Sequence, residues 1–233
     1  MASSHDPSRA KWGSWLQHHF EEPVQQFEAA KLGMWLFLAQ EVLFFSGLFV
    51  AYGVYRVAYP EAFAAGSAQL DWKIGFFNTC VLLFSSFTAA MAVRAAQLGR
   101  RQETSIHLAI TIVCAFVFLG VKYVEYSAKF EHGLLPGNHF APDMAHVHPW
   151  LEGAAAVTEL PVKTHVFFGI YFCLTGLHGI HVAIGIGVLA WVLIRNVRGE
   201  FSKDYWTPVD LVALYWHLVD LVWIYLFPLL YLI

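Results

Sequence analysis

Five apolar runs, at about 31–55, 74–97, 105–126, 164–194 and 207–231, are each long enough to cross a bilayer. Hydrocarbon offers the backbone no water to bond with, so segments of this kind must satisfy their N–H and C=O groups internally, as helices. The sequence therefore predicts an all-α polytopic membrane protein, a bundle of five transmembrane helices. Residues 1–30 read as a cytoplasmic or interfacial N-terminal segment, 31–233 as the membrane domain, and about 127–163 as a long outward loop. The fourth run is overlong for a bilayer and should tilt or project. Composition agrees: 58% of residues are hydrophobic and 13% charged, too little polar surface for a soluble globule of this length.

Basic residues give the orientation. If the spans alternate, Arg9, Lys11, Lys31, Arg94, Arg100, Arg101, Arg195, Arg198 and Lys203 fall on one side, and Arg56, Lys73, Lys122, Lys129 and Lys163 on the other. Nine against five places the N-terminus in the cytoplasm and the C-terminus outside. The outward loop then carries His132, His139, His146 and His148, which an exposed, Pro-containing loop explains without metal. A net charge of −3 gives no ground for a nucleic-acid partner. The N-terminal segment has no apolar core or small-residue cleavage site, so a removable signal peptide is not expected. Within it Trp12, Trp15, Leu16 and Phe20 recur at helical spacing, as in a helix lying on the membrane surface; a loosely ordered tail is the plainer alternative. Cys80, Cys114 and Cys173 lie far apart inside apolar runs and are expected to be buried small hydrophobes. Gly33, Gly47, Gly169, Gly176, Gly179, Gly185 and Gly187 would allow close helix contact.

The polar residues inside the spans are the candidates for function. Glu41 stands ten residues beyond Lys31, roughly 15 Å into a hydrocarbon core about 30 Å thick. No lysine or arginine between Lys31 and Arg56 can pair with it. Ionised and alone there it would cost at least about 2.5–3.5 kcal/mol, so it should be neutral, hydrogen-bonded, or both. His178 and His181 in the fourth span, and His217 and Asp220 in the fifth, are spaced i, i+3 and share helix faces. Short-loop neighbours pack side by side, so these four are expected to meet in one seam between the last two spans. Lys122 and Glu125, again three apart, can neutralise each other near the membrane boundary.

Two readings fit this set. Carboxylates and histidines on facing bundle helices build di-iron centres, but only one glutamate lies deep and no E-x-x-H motif occurs. The plainer reading is an interhelical polar network that fixes packing and contacts lipid or a neighbouring subunit.

The strings EVLFFSGLF (41–49), FNTCVLLFSS (77–86), LHGIHVAIG (177–185) and YWHLVDLVWIYLF (215–227) occur in order and resemble subunit III of haem–copper cytochrome oxidases. The resemblance covers about residues 31–231. It implies that Glu41 is the family's buried, carbodiimide-reactive carboxylate and that His178, His181, Trp216, His217, Asp220 and Trp223 occupy its other signature positions. The mitochondrial type has seven spans; the first two are absent here, and the outward loop is longer, which matches the shorter form of a bacterial inner membrane. The resemblance further implies an accessory subunit of a terminal oxidase that reduces oxygen to water and pumps protons. It would carry no cofactor, with haems and copper in subunits I and II, and would bind phospholipid. Its partners would be subunits I and II and membrane lipids, with cytochrome c near the outward loop a further candidate; cytochrome c rather than quinol is taken as donor on the commonness of that class. The alternatives are an accessory subunit of nitric oxide reductase and an independent membrane di-iron or haem enzyme.

Overall fold

The computed structural model describes residues 15–17, 19–136, 140–143 and 160–233. Among the described residues six helices follow in order: α1 (Pro23–Ala58), α2 (Pro60–Ala68), α3 (Trp72–Gln97), α4 (Arg101–Glu131), α5 (Thr164–Arg198) and α6 (Thr207–Tyr231). Among the described residues the only β-type pairing is two isolated bridges, Leu134 with Phe140 and Ser202 with Tyr205. All but α2 are long and apolar enough to span a membrane, which gives the five-helix, all-α bundle. The helices overrun the apolar runs: α1, at 36 residues, is the longest, because the polar turns before Lys31 continue the same helix.

α2 is a feature outside the apolar runs. Proline has no N–H to donate, so α1 gives way at Pro60 and the chain restarts as one short helix. Its Phe63, Ala65 and Gly66 bury against α5, where a Cβ on Gly66 would lie 2.2 Å from the Phe167 ring. Gly199, with φ +83°, ends α5 in the left-handed conformation that glycine adopts freely.

α3, α4, α5 and α6 pack as the core around Phe118, Phe167, Phe168, Tyr171, Trp216 and Trp223, all fully buried. α1 lies at the edge, against α5 and α6. Only Leu38, Glu41, Phe45 and Tyr52 of α1 are buried, at spacings of three, four and seven, a narrow coiled-coil-like stripe. The Tyr52 hydroxyl donates to the Leu229 carbonyl of α6, and Lys31 pairs with Asp210 at 3.3 Å. The rest of α1 presents Leu36, Leu43, Phe44, Val50 and Val54 outward, as acyl chains allow.

Several expectations are corrected. Trp15, Leu16 and Phe20 are not helical: Trp15 stacks on Tyr205 at 5.1 Å and the Gln17 N–H donates to Gln26 at 2.8 Å, folding the segment back over the α5–α6 connection. Trp12, His139, His146 and His148 lie outside the described residues. Cys80 and Cys173 are exposed on the bundle and Cys114 is half-buried; against lipid a thiol is as well placed on the outside as in the core. Of the seven span glycines, Gly185 alone sits in tight contact: a Cβ there would meet the Trp216 ring at 2.7 Å, whereas Gly33, Gly47, Gly179 and Gly187 have nothing within 4 Å.

The contrast is testable. An indole ring cannot yield as a flexible chain end can, so Gly185→Ala should lower stability by about 1–3 kcal/mol through overpacking. Gly187→Ala should be neutral or stabilising, by up to about 1 kcal/mol of helix propensity. Thermal melting of the two purified variants in detergent compares them.

Candidate functional site

Glu41 and His181 meet across α1 and α5, with His181 Nε2 3.0 Å from Glu41 Oε2. The carboxyl thus has a hydrogen-bond partner, an imidazole rather than a lysine or arginine. The geometry also fixes the protons. His181 Nδ1 lies 2.8 Å from the Leu177 carbonyl, which can only accept, so Nδ1 carries a hydrogen. A single proton then binds Nε2 to Oε2: either a neutral acid donates to a neutral imidazole, or an imidazolium donates to a carboxylate. Both arrangements have zero net charge, the only total that a nearly dry site tolerates easily. Phe45 packs on the imidazole at 5.2 Å, and Tyr215 donates to the His181 carbonyl at 2.9 Å, holding α6 to the same point.

The second cluster is more deeply closed. Lys122 and Glu125 are 7% and 5% exposed, so the pair is enclosed by the bundle. The ammonium has three hydrogens and uses all of them: Glu125 Oε2 at 2.9 Å, the Tyr231 hydroxyl at 2.9 Å and the Tyr171 hydroxyl at 3.1 Å. Both tyrosines donate in turn to Glu125 Oε1, at 2.8 Å from Tyr171 and 2.6 Å from Tyr231. The rings of Trp223 and Tyr126 close over the cation at 5.2 and 5.3 Å. One turn further, the Lys129 ammonium donates to the Gln69 carbonyl and ties α4 to α2.

The third set joins α3 to α6. Trp216 Nε1 donates to Ser85 Oγ at 3.0 Å, Trp223 Nε1 to Thr79 Oγ1 at 3.0 Å, and His217 Nδ1 lies 2.6 Å from Ser86 Oγ. Each indole's acceptor hydroxyl has already given its own proton to its helix: Ser85 to Leu82 at 2.7 Å, Thr79 to Gly75 at 2.9 Å. Asp220 is buried among them. Neither of its oxygens has a hydrogen bond of normal geometry, and Ser85 and Ser86 are the polar groups beside it.

The four residues expected in one seam therefore divide. His181 faces α1, His217 and Asp220 face α3, and His178 fills an aromatic slot between Phe118 and Trp223, each ring 5.4 Å away, with both nitrogens buried and unbonded. An i, i+3 step leaves an offset of roughly 60° around the helix. Two members of one pair can thus address two neighbouring helices. Tyr171, Tyr231, Thr79, Ser85 and Ser86 were not singled out by sequence reasoning, although the last three stand in the string at 77–86. Among the described residues no three His, Cys, Asp or Glu side chains converge to hold a metal.

Taken together these features define a polytopic helical membrane protein in which most of the buried polar groups described join one helix to another. Over residues 12–132 and 154–233 it matches the family described as cytochrome c oxidase subunit III. It is 31% identical over 221 residues to cytochrome c oxidase subunit 3 of Prototheca wickerhamii, covering 92% of this chain and 72% of that protein. Identity to the proteins of the same name from Oncorhynchus mykiss and Danio rerio is also 31%, over 222 residues, covering 93% of this chain and 73% of each of theirs. The chain belongs to the cytochrome c oxidase subunit III family. It is accordingly an accessory subunit of a haem–copper oxidase, an oxidoreductase complex.

The Lys122 cluster gives a quantitative test. Lys122→Met leaves the buried Glu125 charge without its cation and should cost about 3–5 kcal/mol. Lys122→Met combined with Glu125→Leu removes both charges and should recover at least half of that loss. Melting of the wild type and the single and double variants in one detergent measures the difference; equal losses in the two variants would contradict the pairing.

Proposed function

We propose that this chain is the short, five-span form of subunit III in a bacterial inner membrane, seated against subunits I and II, which hold the haems and copper. Its role there is structural. It packs beside the catalytic subunits, retains phospholipid and protects the complex during turnover, while cytochrome c delivers electrons elsewhere in the assembly. The N-terminal segment, residues 1–30, lies at the cytoplasmic face, and the loop at 127–163 faces outward. The resemblance of the five-span pattern to the short bacterial form supports the location, and the nine-to-five division of basic residues supports the orientation.

One observation carries the structural role for Glu41: its hydrogen bond closes within the chain, onto an imidazole whose other nitrogen is held by a backbone carbonyl. A carboxyl engaged in this way braces α1 against α5 and needs no proton path. Lys122, Glu125, Trp216, His217 and Trp223 brace the other helices by hydrogen bonds in the same sense, His178 and Asp220 pack between those helices, and none has a catalytic part.

Glu41→Gln should therefore keep most oxygen reduction and proton pumping, because the amide N–H can donate to His181 Nε2 as the neutral acid does. Glu41→Leu should weaken retention of the subunit, since the orphaned imidazole nitrogen costs about 1–3 kcal/mol. Steady-state turnover and pumping of the intact, fully assembled complex decide between the roles. Near-total loss of activity in Glu41→Gln, with haem content and subunit stoichiometry normal, would make the carboxyl part of the proton mechanism.

The orientation has its own check. In right-side-out vesicles Lys163→Cys should react with a membrane-impermeant maleimide and Lys203→Cys should not; the reverse pattern would invert the topology.

A further inference from the structure

At the end of the bundle where α4 begins and α5 ends lies a pocket of about 500 Å³ lined by Arg101, Gln102, Ser105, Ile106 and Val197. Its polar wall is held from behind by Asn196, a side chain 2% exposed. Asn196 Nδ2 donates to the Arg101 carbonyl at 2.9 Å and to Ser105 Oγ at 2.8 Å, while Arg101 Nε donates to the Asn196 carbonyl at 2.7 Å. These bonds have two effects. The guanidinium plane is fixed by Nε with its two Nη groups left over, and Ser105, having accepted from Asn196, keeps its own O–H to donate. Gly199 offers no side chain to cover the guanidinium: a Cβ there would stand 2.9 Å from Nη1.

The charges nearby set Arg101 apart. Arg100 pairs with Glu103 at 3.2 Å and Arg195 with Glu200 at 2.5 Å, whereas Arg101 has no carboxylate partner among the described residues. Below it the pocket turns apolar. Ile106 and Val197 are 57% and 56% exposed, and Ile106 lies five residues along α4, roughly 7.5 Å deeper if the helix stands along the membrane normal. A fixed, unpaired guanidinium and a free hydroxyl above exposed branched aliphatics match a molecule with an anionic oxygen-rich head and a hydrocarbon tail.

From this geometry we infer that the Arg101 pocket binds an anionic glycerophospholipid, with its phosphate on Arg101 and Ser105 and the start of an acyl chain over Ile106 and Val197. The site depends on the bundle lying in a bilayer and not on the oxidase assignment, so failure of one leaves the other standing. The assignment is tested by which subunits co-purify, the pocket by which lipid stays bound.

The test uses the full chain in the complex with which it purifies, delipidated and reconstituted with phosphatidylglycerol or with phosphatidylcholine, and native mass spectrometry counts the retained lipids. Phosphatidylglycerol should be retained in preference to phosphatidylcholine. Arg101→Gln should weaken its binding at least about tenfold, as loss of a charge-assisted hydrogen bond implies. Ser105→Ala should weaken it less. Arg100→Gln, which touches only the Arg100–Glu103 pair, should leave it unchanged. Arg101→Lys gives up the Nε bond but keeps the charge; partial retention there, with loss in Arg101→Gln, separates lipid binding from a bracing role of Arg101. Unchanged phosphatidylglycerol retention in Arg101→Gln, or equal retention of the two lipids by the wild type, would overturn the inference. So would equally tight binding of inorganic phosphate, which would make the pocket a site for a free anion.

Discussion

Hydrocarbon donates and accepts no hydrogen bonds, and in this molecule most deep polar side chains bond to one another or to the backbone, with His178 and Asp220 among the buried exceptions. Apolar faces alone cannot specify how the five spans assemble, because a leucine gains little by exchanging an acyl chain for another helix. The polar ties discriminate. Glu41 and His181 join α1 to α5, and Tyr52 joins α1 to α6. A Thr88–Thr111 bond at 2.8 Å joins α3 to α4, the indole–hydroxyl ladder joins α3 to α6, and Lys122 with its tyrosines joins α4, α5 and α6 at once. Most of these groups use the whole of their hydrogen-bonding capacity, so a change of register in one helix would strand partners on two others.

The ties are unevenly spread. α6 packs against α1, α3 and α5, reaches α4 through Tyr231, and is buried along much of its length, while α1 touches the bundle by one stripe. A nearly self-contained four-helix core with a peripheral first span leaves a broad apolar surface for lipid or other membrane helices. That division suits an accessory subunit, whose inner half keeps its own shape and whose outer half belongs to the assembly.

The five spans were legible because length and hydropathy are local properties. Their ends were less so: α1 begins at Pro23 because QQFEAAK is a good helical sequence though not an apolar one. Helix α2 was hidden for the same reason, being neither long nor uniformly apolar. The polar residues themselves could be picked out, since Glu41, Lys122, Glu125, His178, His181, His217 and Asp220 stand out against an apolar background. Their partners could not, because the angle between faces three residues apart is enough to send His178 and His181 to different helices. Tyr171 and Tyr231 escaped notice for a further reason: tyrosine is ordinary near the ends of membrane helices, and only the fold brings two of them to one ammonium.

The bond between Glu41 and His181 spans 140 residues of sequence, from α1 to α5. At a translation rate of about 5–20 residues per second, Glu41 emerges roughly 7–28 s before its imidazole exists. During that interval α1 must reside in the translocation machinery or the bilayer with a carboxyl at its middle. A neutral acid is much easier to keep there than a carboxylate. The arrival of α5 then supplies a base where none had been. Seating α1 thus begins with a proton-sharing contact to α5 and is completed only when α6 brings Asp210 and the Leu229 carbonyl to Lys31 and Tyr52, so a helix made early is secured late.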